Sequence, residues 1–233
     1  MAKVKETKQK DTSAHEKIDK TQMCTLDHAI KGLKQRSRVK FVEKVDISLQ
    51  TGIDARKMMV RGMVGLPHGT GKSVKVCVFA NGDQAKAAKD AGAHKVGFED
   101  LFEELKGDDW HYDVIIATPD AMAMVGKLGK KLGPKGLMPN PKLGTVTQDV
   151  EKAVKSALSG QVQFKLDKAG IIHCSIGTIK FTEQALEENL CALLDEVKKA
   201  KPASAKGQYL KKLYLSTTMS QGSYLVDLSK LLN

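Results

Sequence analysis

The sequence predicts an α+β unit built from both ends of the chain, an antiparallel sheet with helices in a split β-α-β arrangement, and an inserted α/β, Rossmann-like, three-layer unit. Three observations predict it. Strands with apolar residues at alternate positions, the mark of a sheet with one wet face, stand near both ends. Denser apolar strands that alternate with helices, the mark of a mostly parallel sheet, stand only in the middle. The excess positive charge belongs almost wholly to the ends: residues 1–69 plus 160–233 hold 25 Lys and Arg against 15 Asp and Glu, and residues 70–159 hold 13 against 12. These ranges define a discontinuous outer domain and an inserted one. The chain then crosses between them near 66–70 and near 159, and paired crossings can serve as a hinge.

Residues 1–20 alternate Lys with polar residues and lack periodicity, so a flexible tail with a little helix is expected. Thr25 caps a helix through Ser37, with Leu26, Ala29, Ile30 and Leu33 on one face. Residues 39–49 predict a long half-buried strand: Val39, Phe41, Val45, Ile47 and Leu49 are apolar at odd positions, and only Glu43 interrupts them. A turn at 51–54 leads to a second strand at 60–66. In the middle, 74–80 is a strand and an Ala-rich helix ends at Gly92. A short strand at 95–96 precedes a helix at 99–105, 113–118 is a buried strand, and Pro119 opens the next helix. A helix at 148–158 turns Val150, Ala153, Val154, Ala157 and Leu158 inward, and Gly160 closes it. The last part returns to the first style, with strands at 161–166 and 171–176 joined by a hairpin turn at 167–170. Thr182 caps a helix to about Ala200, with Leu186, Leu190, Leu193, Leu194 and Val197 on its core face; strands at 209–217 and 224–228 follow.

A hydrophobic fraction of 41% with 28% charge permits a packed core. The net charge of +11 points to a polyanionic partner, while only 5% aromatics argues against rows of rings stacking on single strands. No apolar run approaches the ~18 residues of a membrane span, and no apolar core follows the N-terminal lysines as a secretory signal requires. Cys24, Cys77, Cys174 and Cys191 lie far apart, as buried thiols of a reducing compartment do. The histidines form no ligand cluster, no Ser sits in a nucleophile elbow, and Glu103-Glu104 and Asp108-Asp109 read as solvated charge. Residues 66–73 (Leu-Pro-His-Gly-Thr-Gly-Lys-Ser) fall one residue short of a phosphate-binding loop, because Leu66 stands where Gly is required and a strand follows instead of a helix. A nucleotide-binding hydrolase using residues 69–71 is therefore the enzymatic alternative to the main expectation, a non-enzymatic protein with no metal and no cofactor.

Residues 133–147 (Gly-Pro-Lys-Gly-Leu-Met-Pro-Asn-Pro-Lys-Leu-Gly-Thr-Val-Thr) hold three Gly, three Pro, two Lys and no acid. They cannot form a regular helix or an inner strand. Two readings stand: a loop whose freed N–H groups take an oxyanion, or a structural connector with solvated lysines.

This segment closely resembles the signature of the ribosomal protein L-one family, the proteins of the mobile side stalk of the large subunit, in its bacterial and organellar branch. Six further stretches agree in order, beginning at Lys40, Gly52, Leu66, Ala117, Asp167 and Ser216, and the resemblance covers about residues 20–230. It implies an outer domain built from both termini, with a Rossmann-like domain inserted. It implies binding to large-subunit rRNA, assistance in releasing deacylated tRNA from the exit site, and, as in many bacterial members, repression of its own operon through a leader mRNA that imitates the rRNA site. The expected location is the cytoplasmic large ribosomal subunit, with an organelle ribosome left open, and the free protein is expected to be a monomer with no membrane partner. A purely regulatory mRNA binder is the alternative among binding proteins.

Carried over residue by residue, the resemblance assigns rRNA contacts to Lys40, Phe41, Asp167, Lys168, Gly170, His173, Thr217, Thr218, Met219 and Ser220. Lys40 and Lys168 suit phosphates, the threonine hydroxyls and backbone groups suit 2′-OH groups, and Phe41 and Met219 offer apolar surface. By its period-2 position Phe41 has a core residue as its lesser reading, and His173 reads equally as packing at a strand end. Ser220 stands where the family usually has Gly, His28 where an acid is common, and residues 57–60 are shorter than usual. Lys127, Lys130, Lys131, Lys135 and Lys142 are candidates to face tRNA on charge alone, since residues 121–148 contain no acid.

Overall fold

Strands from both ends of the chain lie side by side in one sheet. The computed structural model describes residues 22–54, 58–107, 110–202, 205, 207–229 and 231; the tail expected at 1–20, the acids Asp108 and Asp109, and Lys57 lie outside the described residues. In chain order the elements are β1 (Met23–Cys24), α1 (Leu26–Arg36), β2 (Lys44–Thr51), β3 (Arg61–Gly65), β4 (Val76–Phe79), α2 (Gly82–Asp90), β5 (Lys95–Gly97), α3 (Glu99–Lys106), β6 (Val114–Ala117), α4 (Met122–Val125), α5 (Gly129–Leu132), α6 (Val150–Leu158), β7 (Gln161–Lys165), β8 (Ile171–Thr178), α7 (Glu183–Lys199), β9 (Leu210–Thr217) and β10 (Tyr224–Val226).

Five strands form one sheet in the order β1-β10-β9-β2-β8, antiparallel except for the β1–β10 pair. Its inward residues, Val45, Ile47 and Leu49 of β2 with Ile172 and Ile176 of β8 and Leu213 and Leu215 of β9, pack in one core with the apolar faces of α1 and α7. The faces of both helices match the sequence expectation. Thr182 caps α7 by accepting the Ala185 N–H at 3.2 Å, whereas Thr25 begins α1 without a side-chain cap.

The middle of the chain builds a separate parallel sheet in the order β5-β4-β6. Alternate residues of a strand point to opposite faces, and β4 shows the result. Cys77 and Phe79 pack with Leu101, Leu105 and Leu132 on one side. Val76 and Val78 pack with Ala88, Val150 and Val154 on the other. Helices therefore cover both faces. Cys77 and Cys174 are buried, and burial pushes both thiols up to about 12; all four cysteines are free.

Three expectations need correction. The strand expected from residue 39 begins at Lys44, because Glu43 turns its side chain into hydrogen bonds that the alternation cannot supply. The strands around the turn at 167–170 do not continue as a hairpin: a single bridge, Leu166–Ile172, joins them, and then β8 runs along β2 while β7 pairs with β3. Gly62 permits that second pairing, since a Cβ there would lie 2.5 Å from the Phe164 ring. Finally, Pro119 starts a turn and not a helix; α4 begins at Met122, and the helical path to Leu132 is broken into short pieces.

The two crossings between the sheets touch. A Cβ on Gly160, whose φ is +94°, would lie 2.5 Å from the Gly69 Cα. Asn189 of α7, fully buried, spends its carboxamide here: Nδ2 donates to the Gly69 carbonyl at 3.1 Å and the Ile176 carbonyl at 2.8 Å, and Oδ1 accepts the His68 N–H at 3.1 Å. Asn189→Leu removes the partner of three backbone groups, of which the Ile176 carbonyl is buried and the other two partly buried, and is expected to cost roughly 2 kcal/mol or more in urea unfolding. Gly160→Ala is expected to cost roughly 1–3 kcal/mol through its left-handed φ and the contact with Gly69.

Candidate nucleic-acid interface

The outward face of the five-stranded sheet is polar because the alternation that buries Val45, Ile47 and Leu49 turns Lys44, Asp46, Ser48 and Gln50 outward. Across the ladder Ser48 stands between His173 and Tyr214, and Gln50 between Ile171 and Lys212. His173, the third residue of β8, is exposed, with Nδ1 3.1 Å from the Ser48 hydroxyl, so its ring is not packed inside.

The other residues singled out from the sequence fall at the two ends of β2. At the Lys44 end, residues 37–44 meet the turn that follows β9. Lys44 and Thr218 are joined by two hydrogen bonds: the Lys44 N–H donates to the Thr218 hydroxyl Oγ1 at 3.1 Å, and the Thr218 N–H donates to the Lys44 carbonyl at 3.2 Å. Phe41 is 53% exposed and Met219 62%. The strand's alternation does not reach Phe41, which removes the core reading of that ring. Lys40 is exposed beside it. Thr217 is buried and bonded to Glu43, so its hydroxyl serves the protein. Ser220 serves it too: its hydroxyl accepts the Thr217 N–H at 3.2 Å and donates to the Gly222 carbonyl at 2.8 Å.

At the Thr51 end lies the turn with Asp167 and Lys168, both exposed. Gly170, at φ +78°, is buried, and its carbonyl accepts both the N–H and the hydroxyl of Thr51 at 2.9 and 2.8 Å. Its part is to hold the turn, not to offer a free group. At ~3.4 Å per residue the two ends of β2 lie roughly 24 Å apart, so the candidate residues form two groups with His173 between them.

A cleft of about 680 Å³ runs beside this face. Lys44, Arg61, Lys165 and His173 line one wall, and Lys72, Lys135, Gly136 and Asn140 line the other, with Asp113 between. Arg61 and Lys165 stand directly opposite each other in the β3–β7 pair, both exposed. Like charges opposed in a ladder are destabilising. Burial works against the Asp113 charge, but bonds from Lys72 and the Lys75 N–H and the fields of Lys72 and Lys44 outweigh it and hold its pKa low.

Residues 133–147 contribute a stitched loop. Asn140 Oδ1 accepts the Lys142 N–H at 2.9 Å, the Asn140 N–H donates to the buried Thr145 hydroxyl at 2.7 Å, and the amides of Gly136, Leu137, Leu143, Gly144, Thr145 and Thr147 all donate within the protein. Most of the freed donors that an oxyanion loop requires are thereby consumed. The lysines also part company. Lys135 lies over the Trp110 ring at 3.9 Å and lines the cleft; Lys131 donates to the Lys106 carbonyl; Lys127, Lys130 and Lys142 are exposed elsewhere. The Gly-rich turn at 69–71 leads into β4, and Lys72 pairs with Asp113 at 2.5 Å, which leaves no helix N-terminus for a phosphate. Among the described residues no group of three His, Cys, Asp or Glu is placed to hold a metal ion, and no helix is long and apolar enough to cross a membrane.

Residues 33–221 match the ribosomal protein L1p/L10e family. The chain belongs to that family. Proteins named large ribosomal subunit protein uL1 are similar over nearly all of it: 55% identical in Coxiella burnetii (strain RSA 493 / Nine Mile phase I), covering 93% of this chain and 94% of the relative; 56% in Cupriavidus pinatubonensis, covering 88% and 90%; and 52% in Alcanivorax borkumensis, covering 91% and 93%. As a member of the L1p/L10e family the chain is a ribosomal protein and not an enzyme, which ends the hydrolase alternative.

Residue-level reasoning passed over Glu43, Asn189, Arg61 and Lys165. Glu43 and Asn189 did leave a signal, each being polar on an otherwise apolar face. Burial opposes the Glu43 charge, yet bonds from Ser37, the Met219 N–H and Thr217 prevail and lower its pKa. A carboxylate with a lowered folded-state pKa contributes stability that is present above its unfolded pKa, about 4.3, and is lost as pH falls through the folded value. The stability difference between the wild type and Glu43→Gln is therefore expected to be largest near neutral pH and to shrink below about pH 4 in urea titrations.

Proposed function

We propose that this chain is a cytoplasmic constituent of the large ribosomal subunit that binds large-subunit rRNA as the protein of the mobile stalk. The observation that carries the reading is the sheet's outward face. Exposed Phe41 and Met219 stand at one end of it, and it is flanked by a cleft whose cations, Lys44, Arg61, Lys72, Lys135 and Lys165, outnumber the single carboxylate of Asp113. A phosphate backbone would offset the repulsion of Arg61 and Lys165, and the shallow minor groove of an RNA helix suits hydroxyls and small apolar surfaces. The relatives are themselves named as proteins of the large ribosomal subunit, which supports the same placement.

The reading includes a discontinuous domain of residues 1–69 plus 160–233 that holds the rRNA and an inserted domain of residues 70–159, joined at the Gly69–Gly160 crossing. The separate apolar cores support the division. Assistance in releasing deacylated tRNA from the exit site, with Lys127, Lys130 and Lys142 facing it, and repression of its own operon rest on the family resemblance. The free protein is taken as a monomer.

Co-sedimentation with large subunits after a high-salt wash tests the placement; loss of the protein from washed subunits, with retained affinity for its own leader mRNA, would turn the reading to a regulator alone. On an rRNA stalk transcript, Arg61→Ala and Lys165→Ala are each expected to reduce the slope of log affinity against log salt by about 1. Met219→Ala is expected to weaken specific binding by roughly 1 kcal/mol or more with the slope unchanged; an equal loss from a change at exposed Glu103 would remove the proposed surface.

A further inference from the structure

Glu43 is the only charged side chain that is buried among the described residues, at 1% exposure. A carboxylate out of water is costly unless donors surround it, and here they come from two distant parts of the chain. Oε2 accepts the Ser37 hydroxyl at 2.5 Å, and Oε1 accepts the Met219 N–H at 2.9 Å. The Glu43 carbonyl accepts the Ile179 N–H at 3.0 Å, which fixes its backbone beyond the end of β8. Phe41 lies two residues before this anchor, and the Met219 side chain extends from one of the amides it holds.

We infer that Glu43 is the positioning residue of the proposed RNA surface: its carboxylate ties the segment after α1 to the turn after β9 and so holds Phe41 and Met219 exposed at one end of the sheet. The inference rests on the RNA-binding reading above. Glu43 itself is covered by the protein and touches no ligand. It acts by removing freedom from two loops that would otherwise be ordered at the expense of binding. Exposed apolar side chains on unanchored loops would turn inward, and the carboxylate prevents this by holding the backbone that carries them.

The experiment is a double-mutant cycle on the full chain, with an in-vitro transcript of the rRNA stalk region as probe. Glu43→Ala is expected to weaken binding by about ten-fold or more and to leave the salt slope unchanged, because no phosphate contact is removed. Its effect should shrink in a Met219→Ala background and nearly vanish once Phe41→Ala is added, since Glu43 is inferred to act through both side chains. Glu43→Gln, which keeps an acceptor for the Met219 N–H and preserves the packing, should restore part of the affinity, and it replaces Glu43→Ala in the cycle if that variant does not fold. Additive losses in the cycle, a salt slope that falls with Glu43→Ala, or full affinity in a folded Glu43→Ala protein would overturn the inference while leaving the RNA reading intact. A Met219→Ala protein that binds as tightly as the wild type would overturn both.

Discussion

The carboxamide of Asn189 sits where the chain leaves one core and returns from the others. It offers two donors and one acceptor to backbone groups that no strand or helix can satisfy: the Gly69 and Ile176 carbonyls and the His68 N–H. Helix α7 is thereby tied to β8 and to the outgoing crossing at once. The returning crossing needs no bond of its own, because Gly160 packs against Gly69 without space for a Cβ. An insertion whose ends touch adds little to the loop-closure cost of the unit that receives it. That is why the five-stranded sheet can be assembled from segments that lie on either side of the parallel sheet in sequence. The cleft between the sheets inherits its position from this joint.

A second buried polar group governs the surface. Glu43 interrupts an apolar alternation, and the interruption sets where β2 begins. Residues before it are released from the pleat, so Phe41 is exposed instead of joining Val45, Ile47 and Leu49 inside. Thr217 and Ser220 spend their hydroxyls on closing the neighbouring turn. Several residues that the resemblance assigns to RNA thus act through the shape of the protein: Gly170 holds one turn, Thr217 and Ser220 hold another, and the groups that remain exposed are Lys40, Phe41, Asp167, Lys168, His173, Thr218 and Met219.

Charge obeys the same separation of sequence and space. The acid-free stretch at 121–148 looks like one basic patch when read along the chain, yet Lys131 is engaged with the Lys106 carbonyl and only Lys135 reaches the cleft. Conversely, Arg61 and Lys165 are far apart in sequence and become direct neighbours through the β3–β7 register.

The sequence by itself determined most of the elements and most of their inward faces, although Leu158, expected inside, is 41% exposed. Local periodicity reports which residues are buried, and so the apolar faces of α1 and α7, the parallel strands of the middle, the outer strands and the caps at Thr182 and Gly160 were all legible. The stretch at 133–147 was legible as irregular and rigid from its Gly and Pro content, and it carried the family as well. Only the tertiary structure decided which strands pair. The turn at 167–170 looks like a hairpin from either side, but β7 and β8 reach different sheets because their partners, β3 and β2, come from elsewhere in the chain. It also decided what the isolated polar residues on apolar faces do, since hydrogen-bond partners that make Glu43 and Asn189 tolerable inside include the Met219 N–H, the His68 N–H and the Gly69 carbonyl, each more than a hundred residues away. A sequence pattern records the need for such partners, and only the folded chain supplies them.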